Sequence, residues 1–99
     1  MTLSLFITPK ANQNVKDIAR YLEERNASAA RRFTQAVGKT AEMLLQNPEM
    51  GELLRSDLTG QIRRRTVLGF GNYLIFYRRV DTTLEIVRVI HGAMDGEPF

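Results

Sequence analysis

The chain has 99 residues, 43% of them apolar and 25% charged, which is the balance of one folded hydrophobic core rather than of a disordered chain. With no cysteine and one histidine it excludes a disulfide framework, a thiolate nucleophile and a zinc site, so metal chemistry would fall to carboxylates alone and no cofactor is expected. No apolar run reaches the roughly 18 residues of a membrane span, and residues 1–7 lack the basic stretch of a secretion signal. The expectation is a cytoplasmic protein, one domain over residues 1–99, with no membrane partner.

The net charge is only +3, but 14 basic residues include eleven Arg and three Lys. Arg favours planar contacts to carboxylate or phosphate. The two halves of the chain are almost equally charged, so there is no polybasic tail. Placement is what differs: six Arg fall between Arg63 and Arg88.

Residues 3–7, Leu-Ser-Leu-Phe-Ile, read as a short strand. Thr8-Pro9 then opens a helix, with a capping hydroxyl and proline in the first turn. Ala11, Val15, Ile18, Ala19 and Leu22 recur at helical spacing, and this helix ends near Arg25. Asn26 or Ser28 can cap a second helix, whose stripe runs Ala30, Phe33, Val37, Ala41, Leu44. Gly38 inside it costs about 1 kcal/mol against Ala and is read as a place of close packing on the first helix. Pro48 ends the second helix, giving an antiparallel helical hairpin.

Residues 51–60 read as a loop, after which the apolar period changes to two. Strands are expected over 61–68, 73–80 and 84–91, joined through Gly69-Phe70-Gly71-Asn72 and Asp81-Thr82-Thr83 as an antiparallel meander. The expected fold is α+β, in the order β-α-α-β-β-β, with the hairpin on one face of a four-stranded, mostly antiparallel sheet.

Strict alternation puts Leu84, Ile86, Arg88 and Ile90 on one side of the last strand, and Glu85, Val87, Val89 and His91 on the other. Tyr73, Ile75 and Tyr77 oppose Leu74, Phe76 and Arg78. Both faces are therefore apolar, and one hairpin covers only one of them. The second is expected to be bare and to bind a protein partner. Burying about 500 Å² of it would be worth about 12 kcal/mol before association costs.

Several residues carry candidate chemistry. Arg63 and Arg65 share one strand face and Arg64 the other; they suit phosphates or acidic side chains, or else protect a sheet edge. His91 ends the last strand without a Ser/His/Asp or paired-carboxylate pattern around it, which favours a structural role. Tyr73, Phe76 and Tyr77 could stack on bases, although core packing explains them more simply. Gly69-Phe70-Gly71 joins two strands and is no phosphate loop.

In order and spacing, these segments resemble the ParE toxins of the RelE/ParE toxin–antitoxin superfamily over nearly the whole chain. The resemblance rests on Ala11…Ile18-Ala…Tyr21-Leu, Ala30-Arg-Arg-Phe33 and Leu45-Gln-Asn-Pro48-Glu-Met-Gly51. It continues through Ile62-Arg63-Arg64, Tyr73-Leu-Ile-Phe-Tyr77-Arg78 and Glu85-Ile-Val-Arg88-Val-Ile-His91-Gly. It implies a toxin neutralised by a cognate antitoxin, ParD-like with a ribbon-helix-helix DNA-binding half and a flexible tail, so that DNA is reached only through the antitoxin. ParE toxins typically act on DNA gyrase, whereas RelE relatives cut messenger RNA in the ribosome.

For a ribonuclease the candidate catalytic residues are Arg63, Arg65, Arg88 and His91. Against that, the segment before Arg63 holds Arg55 and no lysine cluster, the tail has no tyrosine, and +3 is a modest charge for a ribosomal nuclease. The favoured expectation is a gyrase poison without catalysis of its own. Its partner contacts would come from Arg63, Arg65, Tyr73, Ile75, Tyr77, Arg88 and His91. Many ParE-like chains carry Arg where Met94 stands, so a weak or silent toxin acting mainly in operon maintenance is a further alternative.

Overall fold

The computed structural model describes residues 3–58 and 60–92, with Asp57 described in its backbone only. Met94 and the rest of the tail lie outside the described residues. The elements are β1 (Ser4–Ile7), α1 (Pro9–Glu23), α2 (Ala27–Gln46), β2 (Glu52–Asp57), β3 (Gly60–Val67), β4 (Phe70–Val80) and β5 (Thr83–His91). Among the described residues, no helix is long and apolar enough to cross a membrane.

The helices begin where their capping residues dictate. The Thr8 hydroxyl accepts from the Ala11 amide at 3.1 Å, with Pro9 in the first turn. Asn26 caps α2 by accepting from the Ser28 and Ala29 amides. Ala11 of α1 and Phe33, Ala36, Val37, Ala41 and Leu44 of α2 join the core, backed by Val15, Ile18 and Leu22. Gly38 departs from expectation: it is exposed, and a Cβ added there meets nothing within 4 Å. It carries the helix-weakening cost of glycine without any close packing to offset it.

The sheet has five strands, in the order β1-β5-β4-β3-β2, rather than the expected four. The additional strand is β2, in the stretch read as a loop; it pairs antiparallel with β3 through Glu52↔Arg64, Leu53↔Arg63 and Arg55↔Ile62. Its mixed composition, Glu-Leu-Leu-Arg-Ser-Asp, lacks clean alternation, and a register shift between Leu53 and Arg55 breaks the rest. The sheet is mixed, because β1 runs parallel to β5 while the other pairs are antiparallel. The β3–β4 hairpin is tighter than expected, with Gly69 at φ +77° between Val67 and Phe70.

A register shift between β4 and β5 changes the faces of β5. Tyr77 pairs with Ile86, but Phe76 pairs with Arg88, so Val87 is an extra residue. The helix-facing set therefore runs Leu84, Ile86, Val89 rather than Leu84, Ile86, Arg88, and all three belong to the core cluster. Within β5, strict alternation fails at this residue.

The second face is not bare at its centre: Ile62, Phe76 and Ile90 are 3%, 2% and 5% exposed. The pairing rows Arg55–Ile62–Arg78 and Arg64–Phe76–Arg88 place Ile62 and Phe76 among arginines, whose aliphatic stems can lie along apolar surface, while Ile90 pairs with Leu74. Arg64 pairs with Glu52, and Arg78 with Glu85, each at 3.1 Å. Exposed apolar side chains on this face lie toward its rim, with Phe6 of β1 beside Glu85, while Leu5 and Ile7 of β1 and Tyr21 of α1 are exposed elsewhere.

Candidate functional site

The candidate residues gather in two places rather than one. The first is a cleft of about 420 Å³ between α1 and the end of β5, lined by Asn14, Ile18, Tyr21, Tyr73, Arg88 and His91 among others. The sequence builds it in two steps. Beyond Ile86, β1 no longer pairs with β5, so that edge is left to α1. There Asn14 Oδ1 accepts from the Val89 amide and from Arg88 Nε, both at 3.1 Å, and the Thr8 hydroxyl donates to the Val87 carbonyl at 3.0 Å.

The register shift then brings His91 opposite Tyr73, with the rings edge to face at 5.0 Å. Tyr73 in turn meets Phe33 edge to face at 5.1 Å, anchoring the cleft floor to α2. Burial first, and then the neighbouring Tyr21, push the Tyr73 phenol up, against a smaller opposing effect of Arg25. The Arg25 guanidinium lies 3.8 Å from the centre of the Tyr21 ring, over its face. Tyrosine and arginine beside a partly apolar cleft form the side-chain set that dominates protein–protein hot spots.

The second place is a cavity of about 430 Å³ between the turn after α2 and strands β3 and β4, lined in part by Pro48, Glu49, Arg63, Tyr77 and Arg79. Its wall is held by hydrogen bonds to that turn. The Tyr77 hydroxyl accepts from the Gly51 amide at 2.8 Å and donates to the Pro48 carbonyl at 2.9 Å. Arg63 donates to the Gly51 carbonyl at 2.9 Å, and Arg65 to the Met50 carbonyl at 3.3 Å. Burial raises the Tyr77 phenol pKa, partly offset by the Gly51 hydrogen bond and by the charges of Arg63 and Arg65.

Of the seven residues expected to contact a partner, Tyr73, Arg88 and His91 thus come together at the first cleft, and Arg63 and Tyr77 line the second. Two expose almost no surface. Ile75 is fully buried and Tyr77 is 1% exposed, because both point under the helices. Arg65 faces the Met50 turn. Asn14, Tyr21 and Arg25 were missed. Asn14 had a signal, since it continues the apolar stripe at Ala11 and Ile18 with an amide. Among the described residues no group of three or more His, Asp or Glu side chains could hold a metal ion.

The fold is shared with solved toxin–antitoxin structures. The chromosomal ParDE system from P. aeruginosa is 20% identical, with a TM-score of 0.74 over 91% of this chain and 96% of that one. The RelBE2 toxin–antitoxin complex from Mycobacterium tuberculosis is 25% identical, with a TM-score of 0.50 over 92% and 99%. No curated protein sequence matches. The architecture is that of a RelE/ParE-superfamily toxin. The profile of the ParE toxin of the type II toxin–antitoxin system parDE matches residues 5–96, and the chain belongs to that family.

Proposed function

We propose that this ParE-family toxin is cytoplasmic, is neutralised by a cognate ParD-like antitoxin with a ribbon-helix-helix half, and poisons DNA gyrase by binding rather than by catalysis. The observation that carries the choice is the separation of the residues a ribonuclease would need. Arg63 pairs with Tyr77 and His91 with Tyr73, on opposite sides of β4 and four residues apart along it. Standard strand dimensions set their Cα atoms about 16 Å apart. Arg63 and Arg65 are engaged by the Met50–Gly51 turn and Arg88 by Asn14, so the four do not converge on one phosphate. The α1–β5 cleft, with Tyr21, Tyr73, Arg88 and His91, is the surface on this reading that meets a protein.

Expression without antitoxin tests the target. Filamentation with induction of the DNA-damage response, together with inhibition of supercoiling by purified gyrase, is the expected outcome. Immediate arrest of translation with ribosome-dependent cuts in messenger RNA would overturn it in favour of a RelE-type activity. Harmless expression of folded protein would point to a silent toxin retained for operon maintenance.

A further inference from the structure

The cavity beside Tyr77 has no part in the cleft assigned above to a protein. Its described lining comes from the turn after α2, from β3 and β4 and from the turn that follows β4, with no helical residue. Arg63 stands opposite Tyr77, and Arg79 lies two residues further along β4, opposite Leu84. Tyr77 and Leu84 both belong to the helix-side core, so both arginines leave the sheet on that side. As diagonal neighbours on adjacent antiparallel strands they start about 7–8 Å apart, near enough for two long side chains to meet on one small anion.

Each guanidinium is tethered by carbonyl oxygens rather than neutralised. Arg63 Nη1 donates to the Gly51 carbonyl at 2.9 Å, and its Nη2 donates to the Gln61 side-chain oxygen at 3.4 Å. Arg79 donates from Nε to the Asp81 carbonyl at 3.1 Å, which leaves its two Nη groups to other acceptors. Among the described residues neither arginine has a carboxylate partner, whereas Arg78, which also lines the cavity, is held by Glu85. A guanidinium fork fixed at one side, with donors to spare at the other, binds an oxyanion at little ordering cost.

The rest of the lining narrows the ligand. A carboxylate is satisfied by one such fork, while a phosphate monoester carries nearly two charges and three terminal oxygens, enough for both arginines. Glu49 and Asp81 share the cavity and oppose a bare anion, but their oxygens accept from hydroxyl groups. The volume of about 430 Å³ falls in the range of roughly 300–1,000 Å³ for small-molecule sites. We propose that this cavity binds a hydroxyl-bearing phosphate monoester, of the sugar phosphate or nucleoside monophosphate class, with its phosphate between Arg63 and Arg79 and its hydroxyls toward Glu49 and Asp81. The site stands independently of the gyrase and antitoxin readings.

The test is an NMR titration of the full chain with ribose phosphate and with adenosine monophosphate. Saturable shifts at the Nε–H groups of Arg63 and Arg79 and at the amides of Glu49, Gln61 and Asp81 are expected, with a dissociation constant of about 1 mM or tighter. Binding at least about tenfold tighter for adenosine monophosphate assigns the nucleotide, and equal binding assigns the sugar phosphate. Arg79→Ala should weaken binding about tenfold or more, as should Arg63→Lys, which keeps the charge and loses the fork. Arg31→Ala, on the exposed surface of α2, should leave it unchanged. Should Arg63→Lys fail to fold, Arg79→Ala and the pattern of shifts decide. No saturation by about 10 mM of either ligand would overturn the site. Equal weakening by Arg31→Ala would reduce the effect to general charge and overturn it as well. Inorganic phosphate binding as tightly as both monoesters would overturn the hydroxyl-bearing class.

Discussion

Replacing Tyr77 with Phe tests how the turn after α2 is held. The side chain is 1% exposed, and its hydroxyl is the partner of both the Gly51 amide and the Pro48 carbonyl. Phenylalanine fills nearly the same volume, so little packing is lost. What changes is that an amide and a carbonyl lose a partner where water has little access. A typical net hydrogen bond is worth about 1 kcal/mol and a stranded buried polar group about 1–3 kcal/mol, so a loss of about 2–3 kcal/mol is expected. In a domain of this size that corresponds to a melting temperature lower by about 10–20 °C. Urea unfolding followed by circular dichroism reads the change directly, with an unchanged denaturant slope. Gly51→Ala provides a coupled check. A Cβ there would collide with the Tyr77 hydroxyl and lie 2.8 Å from both the Arg64 carbonyl oxygen and Tyr77 Cε1. Removing the hydroxyl relieves one of those contacts, so the double variant should be less destabilised than the sum, by about 1 kcal/mol. A Tyr77→Phe loss below about 0.5 kcal/mol, or strictly additive effects, would refute this account of the turn.

Asn14→Ala should cost about 2 kcal/mol, since it strands the amide of Val89, itself 1% exposed, and removes one hydrogen bond of Arg88; Asn14→Asp, which keeps the acceptor, should recover most of that in the same denaturation assay. Gly38→Ala should stabilise the chain by about 0.5–1 kcal/mol, read as a higher denaturation midpoint, because the site is helical and open. The Tyr73 and Tyr77 phenols are raised by burial, so the folded chain holds those protons more tightly than the unfolded one. Stability should therefore fall as pH climbs through the ordinary phenol range, near about 10, toward the raised folded values. Tyr77→Phe should flatten part of that slope above about pH 10. Arg63→Ala should lower stability by about 1 kcal/mol through the Gly51 carbonyl, with Arg65→Ala costing less, since its bond to Met50 is longer; equal stability with weakened partner binding would instead assign both arginines to the interface.

The order of elements was legible because it depends on local chemistry. Thr8-Pro9 and Asn26 set the helix starts, Pro48 follows the second helix, and the stripe from Ala30 to Leu44 fixes which face of α2 is buried. Alternation likewise placed Tyr73, Ile75 and Tyr77 on one side of β4. Family likeness was legible for the same reason, as spaced local motifs. The exposure of Ile75 and Tyr77 could not be read from alternation, since it gives a side and not what lies over it.

Tertiary structure decided the rest. Glu52–Asp57 becomes a strand only because β3 offers it an edge, and β1 joins parallel through a pairing some eighty residues away in sequence. Val87 becomes an extra residue only when β4 and β5 pair, and that one-residue slip reverses the faces beyond it, turning Val89 inward and setting His91 against Tyr73. A side-chain period of two has no tolerance for an insertion, and the insertion is set by the partner strand rather than by the strand that carries it.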